Sequence, residues 1–258
     1  MKYFLFFFTL TVLEIFAQTD SIFISDINDA LQLSGQYYTV PLHYDSKDWI
    51  TFSSVVGFTA IATLADKELK NYSQKHRSDI ANNIYNIDKY YRLDYAIGSM
   101  ILIYGYGLIA EDNRTRKLAV KLAEATALAS SITLVSKITI GRARPFLDKS
   151  VYYTNSFNIK DEFNSFPSEH TTLAFAYSTV MANEVDNVFW KIGWYSLAGL
   201  VGYARIYHNQ HWFSDVLMGA AIGYFSGEFV NNHNSNESQQ TQFNIIPFPN
   251  GIAVQLRF

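Results

Sequence analysis

Residues 211–224, "HWFSDVLMGAAIGY", set a histidine and an aspartate four positions apart ahead of an unbroken run of small and apolar residues. The run holds no proline and is rich in Ala, Gly and Leu, so it reads as a helix. Five stretches upstream share that character: Trp49–Ala65, Tyr95–Ala110, Leu118–Ser136, Thr171–Ala182 and Val188–Ala204, with Val216–Val230 as the sixth. The expected fold is therefore all-α, a bundle of about six core helices. After it, "NNHNSNESQQTQ" (231–242) reads as a polar linker. The tail "FNIIPFPNGIAVQLRF" (243–258) carries a Pro-Asn-Gly turn signal followed by alternation, which predicts a short terminal strand or hairpin.

Composition bounds what such a bundle does. At 258 residues, with 49% hydrophobic residues, the chain has enough apolar surface for a sizeable core. Its net charge of −3 and lack of any Lys/Arg block argue against nucleic acid as a partner. With no cysteine, disulfides, thiolate metal sites and cysteine nucleophiles are excluded together.

The first residues, "MKYFLFFFTLTVLEIFAQTD", combine Lys2, an apolar stretch from Tyr3 to Leu13 and a small residue at Ala17. That order resembles a secretory signal, too short for a span and interrupted by Glu14. The expected organisation is a signal peptide over 1–17, a turn-rich lead-in over 18–48, a helical domain over 49–230, and the linker and strand over 231–258. Two readings of the apolar stretches stay open. Lys121, Glu124 and Lys191 interrupt two of them, which favours a water-facing or peripheral bundle. "YAIGSMILIYGYGLIA" (95–110) and the six Lys/Arg of 66–92 favour an integral one.

Three short blocks carry chemistry. In "ARIYHNQHWFSD" (204–215), Arg205 precedes His211 and Asp215, whose spacing on a helix lets the carboxylate bond one imidazole nitrogen and free the other to attack. In "SFPSEHTTLAFAYS" (165–178), Pro167 suits a first helical turn. The amides of Ser168, Glu169 and His170 would then point outward, ready for an anion, with His170 placed to hand over a proton. In "KITIGRARP" (137–145), Lys137, Arg142 and Arg144 supply cations suited to phosphate, and Pro145 ends the helix. Taken singly, each block has a plain structural account: a polar pair on a surface helix, an ordinary helix start, a basic helix end.

In order and spacing, Lys-x6-Arg-Pro, Pro-Ser-x-His and Arg-x5-His-x3-Asp together resemble the signature of the phosphatidic acid phosphatase type 2 / vanadium haloperoxidase superfamily, over about residues 95–230. The resemblance implies a phosphatase site at one end of the bundle, needing no metal and no cofactor. His211 would attack phosphorus and form a phosphohistidine, Asp215 would orient it, and His170 would protonate the leaving oxygen and later activate water. Lys137, Arg144, Arg205 and Ser168, with backbone amides around Glu169, would hold the phosphoryl oxygens. Such chemistry calls for positioning and charge cancellation, and for one neutral and one protonated imidazole.

Two positions depart from the family pattern: Ala204, where serine is frequent, and Glu169, where glycine is usual. A carboxylate there must point away, pair with a cation such as Arg142, or stay protonated. The expected function is an exported phosphatase acting on a phosphate monoester or diphosphate, of a lipid or a small ester. The alternatives are a vanadium-dependent haloperoxidase, with vanadate as cofactor rather than inhibitor, and a non-catalytic lipid-binding envelope protein. The expected location is the cell envelope, in the periplasm or at the periplasmic face of the inner membrane, with a membrane surface or bilayer as partner.

Overall fold

The computed structural model describes residues 2–233, 242–248 and 251–257, with side chains over 21–233. Eight helices follow in order: α1 (Lys2–Thr39), α2 (Ser46–Lys75), α3 (Asp79–Tyr85), α4 (Leu93–Ile109), α5 (Asn113–Ile140), α6 (Glu169–Asn183), α7 (Val188–Tyr207) and α8 (Phe213–His233). All six expected helices are present. The tail forms a hairpin of β1 (Gln242–Phe248) and β2 (Gly251–Arg257), antiparallel with Phe248 opposite Gly251. Most of the expected polar linker (234–241), with Pro249, Asn250 and Phe258, lies outside the described residues.

The lead-in differs from its turn-rich reading. Helix α1 runs to Thr39, and Pro41 follows in the 3-10 turn Val40–His43. Polar side chains tie α1 to the bundle: Tyr104 donates to Asp26 at 2.8 Å, Arg116 pairs with the same carboxylate, and Tyr37 meets Ser226 at 2.6 Å. Polarity that looked loop-like from sequence is thus the polar seam of a docked helix.

Local signals set the helix ends. Asp45 and Asp48 form a reciprocal capping box that starts α2 before its apolar stretch. Asp112 caps α5 and Asn187 caps α7 by accepting backbone N–H bonds. Gly141 ends α5 in the left-handed region at φ 61°, its N–H bonded to the Lys137 carbonyl at 2.9 Å. Pro145 is therefore not the stop that it seemed; it opens a separate 3-10 turn.

Helix α6 is the central element, packed on α5, α7 and α8. Leu122, Leu128 and Ala129 of α5 meet Ala176 and Val180 of α6 and Val230 of α8 in the main buried cluster. Ala174 of α6 packs with Ala198 and Val201 of α7 in a second one. On α8, Gly219 lies so close to α6 that a Cβ would sit 2.6 Å from the Ser168 carbonyl oxygen. Tight α6–α8 contact fixes the start of α6 against the start of α8. The bundle thus has one end where α2, α5 and α7 finish and α4, α6 and α8 begin.

Candidate active site

All three blocks meet at that end. His211 precedes α8 rather than lying on it, so the expected i, i+4 face does not form. Its Nδ1 is 2.6 Å from the Ser165 carbonyl oxygen and 3.7 Å from Asp215 Oδ2. A carbonyl only accepts, so Nδ1 carries the hydrogen and Nε2 is left bare. The tautomer expected from an aspartate is thus set by a backbone oxygen.

Asp215 acts on Ser165 and the nearby turn instead. Its carboxylate accepts from Ser165 Oγ at 2.5 Å, from the Trp212 amide at 2.8 Å and from Arg142 Nη1 at 2.5 Å. Burial pushes its pKa up to about 6, with Arg142 opposing the rise. Arg142 is fully committed here, so it neither faces the site nor pairs with Glu169, contrary to the sequence reading. Its other terminal nitrogen bonds Asp66 on α2 at 2.7 Å, and its Nε donates to the Val151 carbonyl.

Ser168 stands at the cap of α6, with Pro167 before it and outside the helix. Its amide is not free, since it donates to the Asp215 carbonyl at 3.0 Å. Its Oγ accepts from Thr171 Oγ1 at 2.9 Å, which leaves the Ser168 hydroxyl hydrogen to donate. Glu169 and His170 occupy the first turn of α6, where amides lack intrahelical acceptors.

Each cation is aimed by an oxygen. Lys137 Nζ donates to the Asn164 carbonyl at 2.6 Å. Arg144 is held by Asp161 through Nη2 at 2.6 Å and by Gln210 Oε1 at 3.0 Å. Arg205 Nη1 donates to Asp88 at 2.6 Å, while its buried Nε has no acceptor among the described residues. A buried guanidinium N–H without an acceptor is costly in a resting protein and suits an anion-binding site.

These groups lie within electrostatic reach of one another. Burial, then Arg144, Lys137, Arg205 and His170, hold the His211 pKa well below the ordinary imidazole range. His170 is pushed down to about 3, first by burial and then by Arg205, Lys137, Arg144 and Arg92. Burial first and the neighbouring cations second favour the neutral form of both imidazoles in the unliganded protein, while the reaction is expected to need one of them protonated. Beside His170 lies a cavity of about 470 Å³ lined by Arg92, Leu93, Asp94, Ile97, Glu169 and Leu173.

Sequence reasoning missed Asp66, Asp88, Asp161 and the Ser165 carbonyl. Trp212 is buried with its Nε1 bonded to the Ala143 carbonyl at 2.8 Å. His208 sits against Asp88 and the Tyr85 carbonyl, away from His211's bonding partners.

Residues 118–237 match the family model of the PAP2 superfamily. Over 129 residues the chain is 35% identical to the lipid A 1-phosphatase of Porphyromonas gingivalis, a match covering 48% of this chain and 25% of that protein. Over 136 residues it is 28% identical to the undecaprenyl-diphosphatase of Sulfolobus acidocaldarius, covering 49% of this chain and 65% of that protein. The chain thus matches a quarter of the length of the first relative and just under two thirds of the second. The crystal structure of Aquifex aeolicus LpxE aligns with a TM-score of 0.53 at 21% identity, over 65% of this chain and 94% of that one. The transmembrane PAP2 type phosphatidylglycerolphosphate phosphatase of Bacillus subtilis aligns at 0.51 and 16% identity, over 72% and 97%. At those identities the structural likeness is one of fold. Helices α1 to α4, with Asp66 and Asp88, precede residues 118–237, which the family model covers.

Proposed function

Because residues 118–237 match the PAP2 superfamily, we propose that this protein is a metal-independent phosphatase that hydrolyses a phosphate monoester or diphosphate of a lipid. The observation that carries the reading is the convergence on His211 of a second imidazole and three cations, drawn from segments up to 74 positions apart.

His211 Nε2, bare because Nδ1 bonds the Ser165 carbonyl, attacks phosphorus as the bond to the leaving oxygen breaks. His170 gives that oxygen a proton. Water then attacks the phosphohistidine, His170 takes the water's proton, and the P–N bond breaks to release phosphate. Lys137, Arg144, Arg205 and the Ser168 hydroxyl hold the equatorial oxygens, where charge develops. Asp215 orients His211 indirectly, by holding Ser165 and the turn that bears the histidine. Vanadate, a tetrahedral oxyanion that accepts a fifth ligand, fits the same groups as an inhibitor.

A lipid substrate is supported by the outer surface. Helices α2 and α5 are, among the described residues, long and apolar enough to cross a membrane. Only 11% of the apolar window of α2 is buried, and Phe52, Val56, Phe58, Ile61 and Leu64 face outward. The cavity bounded by Arg92, Glu169, Ile97 and Leu173 combines charge with apolar walls, as a lipid headgroup and its first carbons require. Glu169 thereby shapes substrate choice rather than blocking the site. We place the pocket at the periplasmic face of the membrane, with the protein exported by its N-terminal segment and cut after Ala17; N-terminal sequencing of the envelope protein tests the cut.

Phosphate release from detergent-solubilised protein tests the activity, over a panel of lipid A 1-phosphate, undecaprenyl diphosphate, phosphatidylglycerophosphate, phosphatidate and small esters, with and without chelator. Turnover that survives chelator, yields to vanadate and vanishes in His211→Ala is the expected result. Bromide oxidation by peroxide on adding vanadate would instead identify a haloperoxidase. Full turnover in His211→Ala would overturn the nucleophile.

A further inference from the structure

One face of α2, at four-residue spacing, touches two of the three site-bearing blocks, 137–145 and 204–215. Asp66, 1% exposed, accepts from Arg142 Nη2 at 2.7 Å, from the Ser214 amide at 2.8 Å and from Ser214 Oγ at 2.7 Å. One turn on, Lys70 Nζ donates to the Pro145 carbonyl at 2.7 Å. Another turn on, Gln74 Nε2 donates to the Tyr207 carbonyl at 3.0 Å. These contacts reach the Arg142–Pro145 turn, the end of α7 and the start of α8, while α2 itself lies outside residues 118–237.

From Asp66 the bonds lead to the nucleophile without a break. Arg142 forks between Asp66 and Asp215 and also donates to Ser214 Oγ at 2.7 Å. Asp215 receives the Ser165 hydroxyl at 2.5 Å, and the Ser165 carbonyl takes the His211 Nδ1 hydrogen at 2.6 Å. A planar guanidinium held by a carboxylate at each terminal nitrogen has one orientation. With Asp66 gone, Arg142 keeps its bonds to Val151, Ser214 and Asp215 but loses the carboxylate at Nη2, which lets the guanidinium and the Asp215 carboxylate tilt together. We propose that Asp66 is a positioning residue for phosphoryl transfer, fixing His211 through Arg142, Asp215 and Ser165, and that α2 is thereby a working part of the site. The proposal rests on the phosphatase reading.

Positioning of the nucleophile matters most where its bond to phosphorus is forming. In Asp66→Asn, which keeps shape and removes charge, kcat is expected to fall about 10- to 100-fold with KM within about threefold. Vanadate, which takes a fifth bond from His211, should lose affinity by the same factor as kcat/KM. Inorganic phosphate, held only by the cations and Ser168, should bind as before. In an Asp215→Asn background, Asp66→Asn should add little, since both act through one route. A folded Asp66→Asn enzyme with kcat within twofold of the parent overturns the proposal. So do equal losses of vanadate and phosphate affinity, which mark general loosening, and additive effects in the double variant. If Asp66→Asn does not fold, Arg142→Lys, which keeps the charge and removes the fork between Asp66 and Asp215, is read by the same criteria. Absence of phosphate release from the parent protein on every substrate would sink the phosphatase reading alone, and the vanadate-against-phosphate comparison would still decide the role of Asp66.

Discussion

Gly219→Ala tests whether α6 and α8 hold the site by close contact. The new Cβ would stand 2.6 Å from the Ser168 carbonyl oxygen and 3.1 Å from Thr172 Oγ1. Ordinary contact begins near 3.4 Å, so α6 and α8 must part by about 0.8 Å, because the nearer atom is backbone and cannot swing aside. Overpacking of that kind costs about 1–3 kcal/mol of stability. The displaced backbone belongs to Ser168, next to Glu169 and His170, so the proposed proton donor moves relative to His211. A misplacement near 1 Å reduces turnover by up to about 100-fold. The control is Gly199→Ala on α7, where a Cβ meets nothing within 4 Å and helix propensity favours alanine by about 1 kcal/mol. Thermal unfolding and kcat measured on both variants check the reasoning. Gly219→Ala with unchanged kcat would refute the claim that this contact sets the site, as would equal losses in the two variants.

Two further outcomes concern protons. As pH falls through about 6, Asp215 gains a proton and can no longer accept from both Arg142 and Ser165, so kcat should drop along an acid limb near that value. Because its folded pKa lies above the unfolded one, protonation of this group favours the fold, so activity should fail before structure does; circular dichroism along the same titration checks the order. His170, neutral through most of the titration, should regain protons when vanadate is bound, seen by NMR as a rise in its imidazole pKa. No rise on vanadate would remove His170 as the acid.

The six apolar stretches were legible because burial needs apolar residues wherever the backbone goes, and α2, α5 and α7 are bounded by local signals such as Asp45, Asp112, Asn187 and Gly141. The residues of the candidate site were named by the family resemblance that the three blocks carry together, each block alone having a plain structural account. What supports them was not legible. Asp66 lies in "DKELK", a charged run that reads as solvated surface, and Asp88 lies in "NIDKYY", which reads as a turn. Their partners stand 76 and 117 positions away, a separation no periodicity covers. The His211–Asp215 reading failed on one boundary, since α8 begins at Phe213 and its nitrogen partner is a carbonyl, which every residue carries. Spacing at 66, 70 and 74 was the one available hint that this charged run faces inward.

Lys137, Arg144 and Arg205 do two things that pull apart. Under the proposed mechanism they attract the anion, and they add to burial in disfavouring a proton on both imidazoles. At His211 the second effect serves the reaction, since the nucleophile must be bare at Nε2. At His170 it opposes the reaction, since a general acid must hold a proton. Lowering an imidazole from 6.5 to about 3 corresponds to about 5 kcal/mol. A single negative charge about 4 Å away contributes about 4 kcal/mol at the effective dielectric of such sites, and a phosphate dianion about twice that. The charge of the proposed substrate is therefore sufficient to restore the proton that burial and the cations together disfavour. Under the proposed mechanism His170 becomes an acid only when a phosphate lies between it and His211, so the anion that is to be cleaved supplies the condition for its cleavage.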